Sequence, residues 1–305
     1  MQHVPVMETE VIEGLSIKSD GCYVDGTYGR GGHSKAILRL LSTHGRLHVF
    51  DRDPQAISHA RATWGTDERV HIHAQEFSTM ADVLPAQCVD GVLLDLGVSS
   101  PQLDEAERGF SFMSDGPLDM RMNNHAGQTA AQLLATVSVG DLARVISRFG
   151  EDRFALKIAH AVDKARQQKN IERTSELAEI VAQAIPRRFH EIKKHPATRT
   201  FQAIRIWVNS ELEQLTQGLS AAFTLLNPHG RLAVISFHSL EDRVVKNFMR
   251  DRSQDDPHFR GLPHIPESAK ATAKLIGRAQ KASDQEVAAN PRSRSAVLRV
   301  MERLR

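Results

Sequence analysis

The sequence predicts an α/β protein in which a doubly wound, mostly parallel sheet carries an inserted all-helical domain. In the first third of the chain, short apolar segments alternate with helical ones, which is typical of a parallel sheet covered on both faces. Helical periodicity then repeats from 142 to 184 without an intervening strand, and alternation resumes with an apolar segment at 231–237. We therefore expect the sheet domain to comprise 1–103 and 199–305, and the inserted helical domain to comprise 104–198.

The strands are predicted where short apolar runs are bounded by turn residues. They are Cys22–Asp25, Leu47–Phe50, Val70–Ala74, Val89–Leu96, Arg231–Phe237 and a closing strand at Ser295–Val300. The fourth of these is almost continuously apolar, as expected of a strand that is buried on both faces.

The helices between these strands are predicted from their caps and apolar faces. Asp53 caps a helix that reaches Trp64, and Pro54 occupies the first helical position, where its missing N–H costs nothing. Two further helices are expected to open at Ser34 and Ser78.

The middle of the chain predicts amphipathic helices with apolar residues at i, i+3, i+4 and i+7. They cover 142–149, 155–162 and 177–184, and one long helix follows at 201–226. Residues 101–124 show neither helical nor strand periodicity. Residues 251–293 are polar, and we expect a long, partly mobile connection there.

Composition favours a soluble, cytoplasmic protein. The 305 residues are 41% hydrophobic, which is enough for a core, and the net charge is only +2, so a polyanionic partner has to be met by local patches. Cys22 begins one predicted strand and Cys88 directly precedes another, which suits buried thiols in a reducing compartment. The 15 histidines are scattered, and no metal site is expected. The first residues show no basic region followed by an apolar core, so we expect no signal peptide, and no apolar run approaches the roughly 20 residues that cross a bilayer.

The glycine-rich turn at 25–33 predicts a nucleoside-binding site. It follows the first strand, and Asp51 stands at the end of the second strand, 22 residues beyond Gly29. Glycines allow the backbone to approach a ligand closely, and a carboxylate at the next strand tip can accept hydrogen bonds from both ribose hydroxyls.

Three ligands compete for such a turn. A dinucleotide site requires a third glycine, but Ser34 stands at that position, and no Gly-Lys-Ser/Thr of a mononucleotide P-loop occurs in the chain. The remaining pattern, Asp25-x-Thr27-x-Gly29-x-Gly31, resembles the motif with which class I methyltransferases hold S-adenosylmethionine.

Two further residues are expected near the same strand tips. Asp95 ends the fourth strand, where a buried carboxylate needs a partner such as an amino group on the ligand; the alternative is a helix cap. Phe77, just after the third strand, is a candidate apolar wall for an adenine; the alternative is a core residue under the sheet.

Longer segments resemble the MraW/RsmH family, whose members methylate N4 of a P-site cytidine in the decoding centre of bacterial 16S ribosomal RNA. The segments keep their order along nearly the whole chain, and they are 25–34, 93–104, 108–122, 195–212 and 236–243. The resemblance implies a class I, Rossmann-like fold with S-adenosylmethionine as cofactor. It also implies an assembled small ribosomal subunit as the partner.

The resemblance assigns the contacts with the methyl donor to seven residues. These are Gly31, Gly32, His33, Asp51, Phe77, Asp95 and Gln102. It places the substrate side on the inserted helical domain and on the loop from 101 to 124.

The proton acceptor for methylation of an amine stays open between several groups. Ser99 and Ser100, nearby backbone carbonyls, and His238 at the end of the fifth strand are the candidates. As alternatives, the serines only shape a turn and His238 only caps the following helix.

A basic stretch suits contacts with RNA phosphates, with a merely solvated surface as its alternative. It comprises Arg187, Arg188, Lys193, Lys194, Arg199 and Arg205. Rival functions are a nicotinamide-dependent dehydrogenase, a non-catalytic RNA-binding protein, and a methyltransferase acting on DNA or on small amines. The oligomeric state is open, and a homodimer is one option.

Overall fold

The computed structural model describes residues 5–190, 195–259 and 264–305. Two compact units are distinguished: Met1–Gly97 together with Leu212–Arg305, called the sheet unit below, and Val98–Glu211, called the helical unit. The helical unit is inserted between two parts of the sheet unit, but it begins earlier and ends later than the predicted 104–198.

The sheet is doubly wound, as predicted. Its strands are β1 (Cys22–Asp25), β2 (Arg46–Phe50), β3 (Val70–His73), β4 (Val89–Asp95), β5 (Leu226–Ser236), β6 (Ala273–Leu275), β7 (Gln280–Lys281) and β8 (Val297–Arg303). The order is β3-β2-β1-β4-β5-β8-β6, with β7 also paired to β8. Neighbours among the first five strands run parallel, whereas β8 runs antiparallel to β5.

Both faces of this sheet are buried. Successive side chains along a strand point to opposite faces, so neighbouring residues of one strand pack into different core clusters. On β4, Leu93 belongs to one core cluster and Val92 and Leu94 belong to the other, and all three are fully buried. This explains the continuous apolar run in the sequence and confirms the predicted α/β class.

The helices enclose the sheet or build the helical unit. In chain order they are α1 (Glu8–Leu15), α2 (Gly32–Leu38), α3 (Pro54–Trp64), α4 (Met80–Val83), α5 (Ser100–Asp104), α6 (Ala130–Thr136), α7 (Val139–Gly150), α8 (Ala155–Arg166), α9 (Thr174–Ala184), α10 (Thr198–Val208), α11 (Glu211–Leu225), α12 (Ser239–Arg252) and α13 (Asp284–Ala289). No helix of the described ranges is long and apolar enough to cross a bilayer.

The single long helix predicted at 201–226 was wrong. The chain breaks between α10 and α11, where Ser210 has φ 48°. The neighbouring Asn209 is buried, and its side chain donates to the Met120 carbonyl at 2.7 Å and accepts from the Met122 N–H at 2.8 Å. These bonds compete with helix continuation, and α10 packs its Phe201 and Ile204 into the core of the helical unit.

Two other expectations also fail. The stretch 101–124 opens with α5, and the polar stretch 251–293 contains β6, β7 and α13. Strand β5 begins earlier than the predicted Arg231, and its register slips between the pairs Val89–Leu226 and Gly91–Arg231.

Candidate functional site

The strand order reverses at β1, which has β2 on one side and β4 on the other. In such sheets the ligand crevice lies beyond the carboxyl ends of the strands at this point. Asp25 ends β1, Asp95 ends β4 and Asp51 directly follows β2, so the three acids stand at the expected edge of the sheet.

The glycine turn is held in a backbone conformation that suits glycine. Gly29 and Gly31 have φ values of 54° and 71°. A Cβ added at Gly31 would lie 2.6 Å from the Tyr28 hydroxyl oxygen, so a side chain is excluded there on steric grounds as well. Gly31 is also the N-cap of α2, which leaves bare main chain at the start of that helix.

The Asp51 carboxylate is oriented by two main-chain donors. Its Oδ2 accepts from the Gly29 N–H at 2.8 Å, and its Oδ1 accepts from the Asp53 N–H at 2.9 Å. Burial raises the pKa of Asp51 to about 6, because the loss of solvation outweighs these two hydrogen bonds. Each oxygen retains a further lone pair with which it can accept a donor from a ligand.

Asp25 has a different role from Asp51. It is buried, its Oδ2 accepts from the Ser34 hydroxyl at 2.6 Å, and its Oδ1 accepts from the Thr27 N–H at 3.1 Å. Burial raises the pKa of Asp25 despite these bonds. Ser34, which stands where a dinucleotide motif has its third glycine, therefore ties α2 to β1. This role of Ser34 argues against the dehydrogenase alternative.

The buried His33 and the partly exposed Asp95 form a pair with spare bonding capacity. His33 Nε2 lies 3.5 Å from Asp95 Oδ2, and the Asp95 N–H donates to the Thr27 hydroxyl oxygen at 2.7 Å. Burial lowers the pKa of His33, but the proximity of the acidic Asp95, together with Asp25 and Glu8, more than compensates, so its pKa is raised. Within the described ranges, Asp95 Oδ1 and both ring nitrogens of His33 are buried without a hydrogen-bond partner. Such atoms are expected where a polar ligand completes the site.

Phe77 packs against a helix of the sheet unit. A Cβ added at Gly218 of α11 would lie 2.3 Å from the Phe77 ring, so the ring rests directly on the helix backbone. The residue is only half-buried. The contact agrees with the core alternative, and a contact with adenine stays a prediction.

His238 is the N-cap of α12. Its Nδ1 accepts from the Glu241 N–H at 3.4 Å, and its Nε2 lies 3.1 Å from Glu241 Oε1. Glu241 Oε2 in turn accepts from the Phe237 N–H at 2.8 Å. The capping alternative thus has a direct structural basis, and a catalytic role of His238 stays a prediction.

Ser99, Ser100 and Gln102 belong to the helical unit. Ser99 stands at the N-cap of α5, and its N–H donates to Gln102 Oε1 at 3.0 Å. Gln102 is buried. This pair shapes the turn before α5, and the predicted roles of the three residues in catalysis and donor binding stay predictions.

The predicted basic stretch is only partly available for phosphate. Arg205 forms two bonds of 2.8 Å with the Glu211 carboxylate, and Arg199 donates to the Glu151 carbonyl. Both side chains thus form hydrogen bonds within the helical unit, to which α10 belongs. Lys193 and Lys194 lie outside the described residues.

Sequence reasoning gave no role to the side chains of Thr27, Tyr28 and Ser34. Thr27 and Ser34 bond Asp95 and Asp25, respectively, and the buried Tyr28 bonds His59 Nδ1 through its hydroxyl at 2.9 Å. Only Thr27 carried a signal, as the small residue of the acidic-x-small-x-Gly pattern. The bonds of Tyr28 and Ser34 depend on how the turn folds.

Comparisons with known proteins agree with this site. The profile of the MraW methylase family matches residues 1–304. Proteins called "Ribosomal RNA small subunit methyltransferase H" resemble the chain closely. The one from Thioalkalivibrio sulfidiphilus is 52% identical, with 99% of this chain and 97% of the relative covered. The one from Xanthomonas oryzae pv. oryzae is 51% identical, with 99% and 89% covered. The chain therefore belongs to the MraW methylase family.

Proposed function

We propose that this protein transfers a methyl group from S-adenosylmethionine to the exocyclic N4 amine of a P-site cytidine in the decoding centre of 16S ribosomal RNA. The observation that carries the proposal is 52% identity, over 99% of the chain, with a small-subunit ribosomal RNA methyltransferase. The choice of the N4 amine rests on the resemblance of five segments to the MraW/RsmH family.

S-adenosylmethionine is the methyl donor, and when bound it supplies an electrophilic methyl group on a sulfonium sulfur. The residues at the strand tips suit its polar groups. Asp51 can accept from the ribose hydroxyls, and the free Oδ1 of Asp95 can accept from the amino group. His33, whose pKa is raised, can donate to the carboxylate.

The protein has to localise the nitrogen lone pair and hold the amine close to the methyl group. The N4 lone pair is delocalised into the cytosine ring, so an oxygen that accepts an amine hydrogen assists the attack. While His238 Nδ1 accepts the Glu241 N–H, the hydrogen of the neutral imidazole stands on Nε2, and the ring has no free acceptor. We therefore favour Ser99, Ser100 or a nearby carbonyl as the acceptor. The target base has to be unstacked for this chemistry.

A labelled-methyl transfer assay tests the proposal. Small ribosomal subunits and naked 16S RNA from a strain that lacks the gene are incubated with the protein and labelled S-adenosylmethionine, and the modified nucleotide is mapped. We expect label on N4 of one decoding-centre cytidine, with assembled subunits the better substrate. Label on another atom, or no incorporation in either substrate, would falsify the proposal.

Donor binding is expected to depend on pH through Asp51. Hydroxyl donors require the ionised carboxylate, so affinity should fall about tenfold per unit as the pH drops below about 6, the pKa of Asp51. Because this pKa lies above the ordinary 3.8, protonation of Asp51 stabilises the folded protein without ligand as the pH falls from about 6 toward 3.8. Unfolding of the protein through Asp51 therefore does not explain the loss of affinity. Calorimetric titration with S-adenosylhomocysteine from pH 5 to 8 measures the effect. Asp51→Asn retains His33 and Asp25, and superimposable profiles for the two proteins would exclude Asp51.

A further inference from the structure

We infer that the helical unit carries an RNA-docking surface in addition to the residues that would handle the target base. We call it the basic-aromatic patch, and it consists of Arg153, Phe154, Lys157, Arg187, Arg188 and Phe189. The inference rests on the proposed function in that it takes ribosomal RNA as the polyanion.

The patch is organised by stacking between cations and rings. The guanidinium carbon of Arg153 lies 4.9 Å from the centroid of the Phe154 ring and 4.2 Å from that of Phe189, and the two rings are 5.1 Å apart. Arg188 stacks on Phe189 at 4.9 Å, and Lys157 lies 5.9 Å from Phe154. Stacking on a ring face restricts a guanidinium, so less conformational freedom is lost when it meets a phosphate.

The positive charge of the patch is not neutralised by carboxylates. Arg153, Lys157, Arg187 and Arg188 are all exposed, and none forms an ion pair with another described residue. The adjacent Asp152 is buried and accepts the Phe154 N–H at 2.8 Å.

Two other exposed arginines of the helical unit do have carboxylate partners. Arg144 pairs with Asp141 at 2.5 Å, and Arg173 pairs with Asp115 at 2.5 Å. Exposure by itself therefore does not decide whether a cation of this unit has a carboxylate partner, and the exposed Arg148, which lies over the Phe149 ring, is a further one without such a partner among the described residues.

The positive surface continues along α8. Lys157 and Lys164 are exposed and spaced i and i+7, so they share one face of the helix, with the exposed His160 between them. With a rise of 1.5 Å per residue, the face extends for about 10 Å beyond Lys157. A stripe of this kind can follow a phosphate backbone.

The chemistry of the basic-aromatic patch favours RNA over an acidic protein or a lipid surface. Arginine presents a planar fork that matches phosphate oxygens in pairs. Phe189 is 37% exposed, and the guanidinium groups that lie over its ring offer a base a planar stacking surface. Cations interleaved with aromatic rings are typical of surfaces that bind unpaired nucleotides.

A charge-neutralising triple variant tests the inference. Arg153→Gln, Lys157→Gln and Arg188→Gln are combined, and the matched control combines Arg61→Gln, Lys246→Gln and Arg278→Gln, three exposed cations of the sheet unit. Both variants lose the same net charge. Dissociation constants for 16S RNA and for small subunits are measured between about 50 and 200 mM salt, where phosphate contacts have their largest effect.

The patch variant is expected to bind RNA about tenfold more weakly. The slope of its log binding constant against log salt concentration should decrease in magnitude by about 2, because each lost phosphate contact removes about 0.7–0.9 from this slope. In the methylation assay, KM should rise while kcat and the affinity for S-adenosylhomocysteine stay unchanged. The control variant should change less than about twofold. Circular dichroism verifies that both variants are folded. If the triple variant unfolds, the single substitution Arg188→Gln, at an exposed residue, should decrease the magnitude of the salt slope by about 0.7–0.9, the effect of one phosphate contact.

Equal salt slopes for patch and control variants would overturn the inference. So would a loss of binding to small subunits with unchanged binding to naked RNA, since the patch would then face a ribosomal protein. Absence of methyl transfer by the unmodified protein would instead refute the proposed function, because the comparison of RNA affinities does not use catalysis.

Discussion

Replacing Asp51 with alanine is expected to weaken binding of S-adenosylhomocysteine by at least about 100-fold while the protein stays folded. The carboxylate is held by the Gly29 and Asp53 N–H groups and keeps lone pairs for two ribose hydroxyls. Hydrogen bonds to a charged group contribute about 1.5–3 kcal/mol each, so the loss of two gives an effect of this size. Calorimetric titration and a thermal unfolding curve measure the two quantities.

Asp90→Ala provides the matched control. Asp90 also accepts a main-chain N–H, that of Cys22 at 3.1 Å, but it stands near the start of β4, at the amino end of the parallel strands. We expect this variant to lose some stability and to keep its affinity for the donor. If Asp51→Ala binds as well as Asp90→Ala, the ribose contact is refuted.

Gly31→Ala is expected to lower the free energy of unfolding by about 1–3 kcal/mol and to abolish measurable donor binding. Its φ of 71° strains any residue with a Cβ, and the new methyl group would lie 2.6 Å from the Tyr28 hydroxyl oxygen. Relief requires the turn or Tyr28 to move, and the bare main chain at the start of α2 is lost as a ligand surface. Chemical denaturation and titration with S-adenosylhomocysteine give the two readings.

Gly277→Ala separates the backbone strain from the clash. Gly277 has a similar φ of 67°, but a Cβ there meets no atom within 4 Å. This variant should show the cost of the conformation alone and bind the donor normally. Similar losses of stability and binding in both variants would mean that contact with Tyr28 does not matter.

Much of the sheet could be predicted, because its signals are local. Strand β1 was expected at Cys22–Asp25 and is found there, and α3 begins at Pro54 behind the Asp53 cap, whose side chain accepts the Gln55 N–H at 2.9 Å. Apolar runs, proline and capping residues act within a few positions of themselves. The same locality places Asp51 and Asp95 at strand ends, so the neighbourhood of the site could be predicted before any contact was known.

What the sequence could not indicate depends on contacts between distant positions. The polar segments β6 and β7 carry weak strand signals and form because β8, which follows them in the chain, offers them a partner. The break before α11 follows from the bonds of Asn209 to Met120 and Met122, about 90 positions earlier.

By itself, the sequence determined the class of fold, the glycine turn, the acids at the strand tips and the family, since each depends on residue order or on periodicity. Only the tertiary structure decided how those acids are used. It ties Asp25 to Ser34, leaves Oδ1 of Asp95 open beside His33, and raises the pKa of Asp51. The physical reason is that burial and hydrogen-bond geometry depend on packing in three dimensions, whereas a motif records only which residues are available.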